Sequence, residues 1–384
     1  MSRVIARNIK PTVLLTLGRL PVSLDLARAL KAAGWRVIVA EPFAWHLCRL
    51  SNTVHKSFQV EAPSQNSQRY HAQLLDIIHR EAVSLVLPVS EESLYVAQLQ
   101  GQVPDDVRVL CADQSSLLRL HDKYEFARFA QSLELPVPAT TLANESLAVA
   151  QLLQDPFVIK PRLSCAGVGV RLADGGGELL DDEKDARYIV QRKLNGALRS
   201  TFSIASTGKT CLNVCYQSRV ESGSVSVCFE QIDMPEEIAN YIDVIVAATQ
   251  YNGMISFDFM QDETGQWQAI ECNPRASSGM HFLSPDQLQK ALIDGQSVSV
   301  TVSNRMAKEF WSCLATLEGK LLKGRLDRAG WRHFFKADDI TWQFSDMKPF
   351  LLMSFIYLPT LVKAIRTRRP LTELLLQDVG WHAR

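Results

Sequence analysis

Two acids stand on either side of a turn in FDFMQDETGQWQAIECNPRASSG, residues 257–279: Asp258 and Glu271. MISFDFM (254–260) is rich in aromatic and β-branched residues, and WQAIEC (267–272) less strongly so, with the polar DETGQ and Gly265 between them. That pattern predicts a β-hairpin. A turn centred on Thr264 and Gly265 sets Asp258 opposite Glu271, with Cβ atoms roughly 4.5–5.5 Å apart. Asn273, two residues past Glu271, shares that face with Ser256 and Met260; a β-bulge would change the register. Two ionised carboxylates at about 5 Å repel by roughly 3 kcal/mol at an effective dielectric of about 20, a large part of a domain's stability. A cation between them, or a proton on one, removes the repulsion. Two carboxylates and an amide oxygen make a hard oxygen set that suits Mg²⁺ shared with phosphates. Pro274 stops the ladder, and Arg275 follows beside the set, placed to clamp a phosphate or carboxylate. The acid pair alone fits an exposed hairpin equally well; Asn273 and Arg275 favour the metal.

A metal–phosphate site also needs cations and a covering loop. PFVIKPRLSCAGVGV (156–170) reads as a short buried strand ending in Lys160, then small residues with Gly167 and Gly169. Glycine lets backbone N–H groups approach phosphate oxygens. The loop lacks the Gly-Lys-Ser/Thr of a Walker A motif and the G-x-G-x-x-G of a dinucleotide fold. Alone it also fits a solvated lysine before a flexible turn. In LHDKYEFARFAQSLELPVPAT (120–140), Asp122 can cap a helix from about Lys123 to Ser132. A lysine at a helix start opposes the dipole, and an anionic partner would relieve it.

The lysine-capped helix, VIKP with its glycine loop and D-x₁₂-E-x-N-P-R, in that order over about residues 113–280, resemble the ATP-grasp superfamily. The nearest flavour is its carbamoyl-phosphate-synthase-like and carboxylate–amine ligase group, and the preceding residues resemble a pre-ATP-grasp domain. The resemblance implies that Lys123 and Lys160 hold the α- and β-phosphates of ATP, and that the 164–169 loop, with Ser164, Gly167 and Gly169, closes over them. It implies that Asp258, Glu271 and Asn273 hold Mg²⁺, with Mn²⁺ as its substitute. Arg275 would steady the transferring phosphoryl group, making Arg275 and Lys160 the catalytic pair. YIVQRKLNG (188–196) resembles the interlobe hinge, so Gln191, Arg192 and Leu194 would meet adenine and Met260 would pack on its ring. The hinge departs from the family in one respect: acids expected near Arg192 and soon after the following glycine are replaced by Arg192 and by Ala197 to Ser200, with Arg199, which leaves ribose without its usual partner.

The rest of the 384 residues must position these groups. Lys+Arg and Asp+Glu are 41 each, and this zero balance argues against a dedicated nucleic-acid binder. Eight cysteines form no C-x-x-C and read as buried thiols of a cytoplasmic protein. The first fifteen residues show no signal-peptide core. TVLLTLG, SLDLARALKAAG and WRVIVAEP (12–42) predict a βαβ unit, followed by a helix at 67–82 and a strand at 84–90. Glu91 and Glu92 end that strand, where α/β ligands bind, although acids also suit a helix start. The expected class is therefore α/β and α+β: a Rossmann-like pre-ATP-grasp domain (1–112), a two-lobed ATP-grasp domain (113–297, with a small lobe 113–195 and a large lobe 196–297), and a mostly helical segment (298–384).

After Arg275, the small and polar Ser277, Ser278 and Gly279 could present donors to a substrate carboxylate, while His281 reads as structural or as a contact. FLLMSFIYLPTLV (350–362) holds Pro359 and is too short to span a bilayer, which needs about 20 residues; with RTRR (366–369) behind it, it reads as a buried helix with a solvated end or as an interfacial anchor. The expected reaction is ligation of a carboxylate, through an acyl phosphate, to an amine, with an amino acid among the small-molecule substrates, in a possible homodimer with no stable membrane insertion. The alternatives are a nucleotide-binding module without turnover and a ligase using a thiol or hydroxyl nucleophile.

Overall fold

The computed structural model describes residues 10–164, 167–369 and 371–381. Three sheets organise them. The first holds β1 (Thr12–Leu15), β2 (Arg36–Glu41), β3 (Lys56–Gln59), β4 (Val83–Leu87) and β5 (Arg108–Val109), all parallel, in the order β3-β2-β1-β4-β5. Its central strands are largely apolar, with Val13 to Leu15, Val37 to Ala40 and Leu85 to Leu87 all buried, because both faces are covered. Val13 and Leu15 point toward the helix Pro21–Ala32, and Leu14 points toward the helix Ser67–Arg80.

The second sheet is small and antiparallel: β6 (Thr140–Leu142), β7 (Phe157–Pro161), β8 (Arg171–Ala173) and β9 (Tyr188–Arg192), in the order β6-β9-β7-β8. The third comprises β10 (Leu198–Ser206), β11 (Lys209–Ser222), β12 (Val225–Ile232), β13 (Gly253–Gln261), β14 (Trp267–Asn273), β15 (Met306–Lys308) and β16 (Asp338–Asp339), in the order β14-β13-β10-β11-β12-β15-β16. The segment after residue 298 thus adds two short strands to the large sheet, β15 before the helices Phe310–Leu322 and Arg328–Lys336 and β16 after them, ahead of the helix Lys348–Thr367.

One apolar cluster joins Leu24 and Leu87 of the first sheet's domain to Phe202, Met254 and Met280 of the large sheet's side. The Ala276 N–H donates to the Val89 carbonyl at 3.2 Å. The carboxyl end of β4 is thereby pinned beside the residues that follow Asn273.

The helix Lys348–Thr367 departs from the expected buried helix. Only Pro349, Met353 and Ala364 are buried along it, and its other side lies in solvent. The exposed outer face departs from the buried-helix reading, while the alternative, an interfacial anchor, requires such a face.

Candidate active site

β13 and β14 pair with Asp258 opposite Glu271 and Ser256 opposite Asn273. The expected pairing holds at the site, and a bulge makes it possible. Nearer the turn the pairs are Phe259–Ala269, Met260–Gln268 and Gln261–Trp267, one residue out of step, and the shift falls between Asp258 and Phe259. Trp267 and Ala269 bury into the core, and simple alternation would send Glu271 and Asn273 after them. Ile270 is the extra residue; after it Cys272 takes the core position, and Glu271 turns to Asp258.

Burial and the neighbouring Glu271 together push the Asp258 carboxyl well above its usual range. Burial also opposes ionisation of Glu271, but Lys123 and Lys160 outweigh it and hold that carboxylate low. The Ser200 hydroxyl donates to Asp258 Oδ1 at 2.6 Å. Asn273 Nδ2 donates to Glu271 Oε1 at 3.0 Å, and its Oδ1 accepts from Arg275 at 3.1 Å. The amide nitrogen, rather than the expected oxygen, faces the acids. Without a cation a donor is the stable neighbour for two carboxylates, and rotating the amide would offer the oxygen. Two crowded carboxylates, one of them pressed toward protonation, form a donor set that fits a hard divalent ion.

Asp122 caps the helix Lys123–Ser132 by accepting from the N–H groups of Tyr124 and Glu125, as expected, and also pairs with Arg162. Lys123 is 5% exposed. Its Nζ donates to the Ser164 carbonyl at 2.6 Å and lies 3.9 Å from Glu271. Lys160, at the end of β7, donates to Gln191 Oε1 at 2.8 Å, and burial lowers its pKa to about 8. Gln191 in turn donates to Thr140. The Gln191 side chain therefore serves the lysine.

Gly167 and Gly169 have φ of +68° and +74°, a region that only glycine enters freely. A Cβ on Gly167 would lie 2.2 Å from Ser224 Oγ, in the β11–β12 turn. The loop therefore leans across onto the large sheet; Cys165 and Ala166 within it lie outside the described residues. The N–H groups of Arg192 and Lys193 donate to the Ala139 and Pro156 carbonyls, and Leu194 is buried, so the hinge is well fixed. The Arg192 side chain pairs with Glu263 of the hairpin turn at 3.0 Å. Arg199 lies over Trp267, on the opposite face of β10 from Ser200. Met260 shares the Asp258 face.

Arg275 Nε lies 3.8 Å from Glu91, at the end of β4. Glu92 instead accepts from Val89 N, Ser90 N and Thr16 Oγ1 and organises that loop. Ser277 bonds Ser256 at 2.8 Å, and Ser278 is half-buried at the start of a short 3-10 turn. Gly279 is buried; its Cα faces Phe202 and Tyr216, so packing accounts for the glycine. His281 bonds Asp25 at 2.6 Å and is structural in character. Sequence reasoning missed Ser200 and Tyr216, which belong to β10 and β11. The pairing of β10 with β13 bridges distant segments with no local signal, and the Tyr216 hydroxyl comes near Ser277, Ser200 and Asp258 only through it.

A family model for the ATP-grasp domain matches residues 120–279, the stretch that carries Lys123, Lys160, Asp258, Glu271, Asn273 and Arg275. Residues 120–279 are thus similar to the ATP-grasp domain. The N-terminal section of the carbamoyl phosphate synthase large chain from Methanopyrus kandleri is 25% identical over 193 residues, covering 45% of this chain. The match spans 34% of that relative's length. N5-carboxyaminoimidazole synthetase from Staphylococcus aureus has a similar structure, with a TM-score of 0.60 at 15% identity, over 76% of this chain and 79% of that one. The biotin carboxylase domain of the Hydrogenobacter thermophilus 2-oxoglutarate carboxylase, solved with MgADP and bicarbonate, aligns with a TM-score of 0.61 at 11% identity, over 76% and 71% of the two chains.

Proposed function

We propose that this protein is an ATP- and Mg²⁺-dependent ligase that activates a small carboxylate as an acyl phosphate and joins it to an amine. The observation that carries this reading is that Lys123, Lys160, Asp258, Glu271, Asn273 and Arg275 lie together where the small and large sheets meet. Lys123 and Lys160 neutralise the phosphates, and Glu271 lowers the cost of keeping Lys160 charged there. Asp258, Glu271 and Asn273 would hold the divalent ion, which supplies charge neutralisation to the phosphates when bound. Arg275, held by Asn273 at 3.1 Å and beside Glu91 at 3.8 Å, would face the transferring group. Phosphoryl transfer asks the protein mainly for position and charge, and these residues supply both. The carboxylate attacks the γ-phosphorus and ADP leaves; the amine then attacks the acyl carbon and phosphate leaves.

The Gln191–Leu194 hinge and Met260 would enclose adenine, and Ser277 and Ser278 with Arg275 would receive the carboxylate. An amino acid is the substrate we infer for one of the two sides. The bicarbonate held by the 2-oxoglutarate carboxylase domain makes a carbonate the acid to test beside it. The test is ³¹P NMR of the protein with Mg-ATP and a pool of amino acids and bicarbonate. ADP and phosphate that appear only with the pool support the reading, and withdrawal of single members identifies the substrates. AMP and pyrophosphate would refute the acyl phosphate. Turnover that survives Glu271→Ala would refute the metal assignment.

A further inference from the structure

The outer face of the helix Lys348–Thr367 is apolar and uncovered. Leu351, Phe355, Leu358, Val362 and Ile365 recur at alternating steps of four and three, and each is between 38% and 71% exposed. At about 100° per residue that spacing forms one continuous stripe. Lys363 and Arg366 each follow a stripe residue and so line one flank of it; Arg368 and Arg369 continue past the helix end. No acid stands between Asp346 and Glu373. Residues 310–369 carry eleven Lys and Arg against five Asp and Glu, in a chain whose total charge is zero. At the head of the helix, Trp311 and Trp342 pack around Phe350 and remain partly exposed.

We propose that this face docks the protein peripherally on an anionic phospholipid surface. The stripe supplies apolar area, the tryptophans suit the headgroup level, and the lysine and arginines meet lipid phosphates. Charge complementarity selects this occupant. A second copy of the chain would bring two strongly basic segments together. A spanning orientation is opposed by the inner face: Tyr357 donates to the Arg19 carbonyl at 2.5 Å, and Pro349, Met353 and Ala364 are buried against the protein. The helix therefore lies along the protein surface with one side free. The inference is independent of the proposed chemistry.

The test is co-flotation of the full chain with vesicles of phosphatidylcholine alone or mixed with phosphatidylglycerol, at low and high salt. We expect binding to the anionic vesicles at low salt, loss of binding on neutral ones, and release by salt. Phe355→Glu with Ile365→Glu should abolish binding while leaving the melting temperature and Mg-ADP affinity unchanged, since both side chains point into solvent. Arg366→Glu with Arg368→Glu should lower the partition coefficient by at least about tenfold, since each basic residue near an anionic surface contributes severalfold. Equal binding to neutral vesicles, or binding to neither, would overturn the proposal. So would a dimer in sedimentation velocity that the Phe355→Glu, Ile365→Glu variant dissolves.

Discussion

Asp258 faces Glu271 because Ile270 is an extra residue in β14. The like-charge pair that results costs stability in the absence of a cation, as the raised Asp258 carboxyl attests. Asp258→Asn keeps the side-chain shape and an acceptor for Ser200 while removing one charge. We expect the ligand-free variant to be more stable than the parent by about 1 kcal/mol. We also expect it to lose the further rise in melting temperature that Mg-ATP gives the parent. Thermal unfolding with and without Mg-ATP measures both. A variant less stable than the parent and still stabilised by Mg-ATP would show that the pair holds no cation.

Lys160 offers a pH test. Burial lowers its pKa to about 8, with only partial recovery from Glu271. Below that pH the lysine is charged and can meet a phosphate; above it the free protein loses the cation. Mg-ADP affinity should therefore fall as pH rises through about 8, by roughly 10- to 100-fold in total, the worth of a charge-assisted hydrogen bond. Calorimetric titration on either side of that pH measures it. Lys160→Met should bind weakly on both sides, and a variant that kept the parent's pH profile would remove Lys160 from the nucleotide site.

Much of this site could be read in the chain because its signals are local. Asp122 and the helix it caps, the strand that ends in Lys160, and the hairpin around Gly265 each lie within about 20 residues. The bulge was also written there, in the spacing of Trp267, Ala269 and Cys272, whose core-facing positions break the two-residue period. A symmetric turn gives the same partners at Asp258 without it, which masks the signal. Ser200 and Tyr216 reach the site through pairings between distant strands, which no local pattern encodes. The tail misled for another reason. FLLMSFIYLPTLV has the composition of a buried helix, and only the placement of neighbouring elements shows which side is left bare.

Gly279 packs the loop that follows Arg275 onto the large sheet. An added Cβ would lie 2.5 Å from the Phe202 Cβ and 3.0 Å from the Tyr216 ring. Phe202 is fully buried and cannot yield. Gly279→Ala should cost about 1–3 kcal/mol by overpacking and should shift Ser277 and Arg275, lowering kcat. Urea unfolding and steady-state kinetics measure the two effects; an unchanged midpoint would mean that the short turn Ser278–Phe282 moves freely.

Arg192 stands where the resemblance to ATP-grasp proteins leads us to expect an acid. Its guanidinium pairs with Glu263, and both side chains are exposed. An exposed pair contributes about 0–1 kcal/mol. Arg192→Ala should therefore leave both stability and Mg-ATP affinity nearly unchanged, since in the proposed site the hinge would meet adenine through its backbone. A large rise in Kd for ATP, with ADP-ribose competing less well than before, would instead place the arginine on the nucleotide.

Arg19 is the most deeply buried cation described. It pairs with Glu41 at the end of β2 and with both oxygens of Asp378, at 2.7 and 2.8 Å, and stacks on Phe43. Nearby, Trp381 packs on Tyr95, whose hydroxyl donates to the Gly380 carbonyl. The end of the described chain is thus locked across the carboxyl ends of the parallel strands. Arg19→Met fills the same space but leaves Glu41 and Asp378 buried without their cation, a change that costs about 3–5 kcal/mol. We expect a correspondingly lower urea midpoint and faster proteolysis after residue 369. Adding Glu41→Gln and Asp378→Asn to Arg19→Met removes the stranded charges and should recover part of the loss. If the triple variant is no more stable than Arg19→Met, the arginine acts through its stacking on Phe43 and its bond to the Leu375 carbonyl, rather than through the two acids.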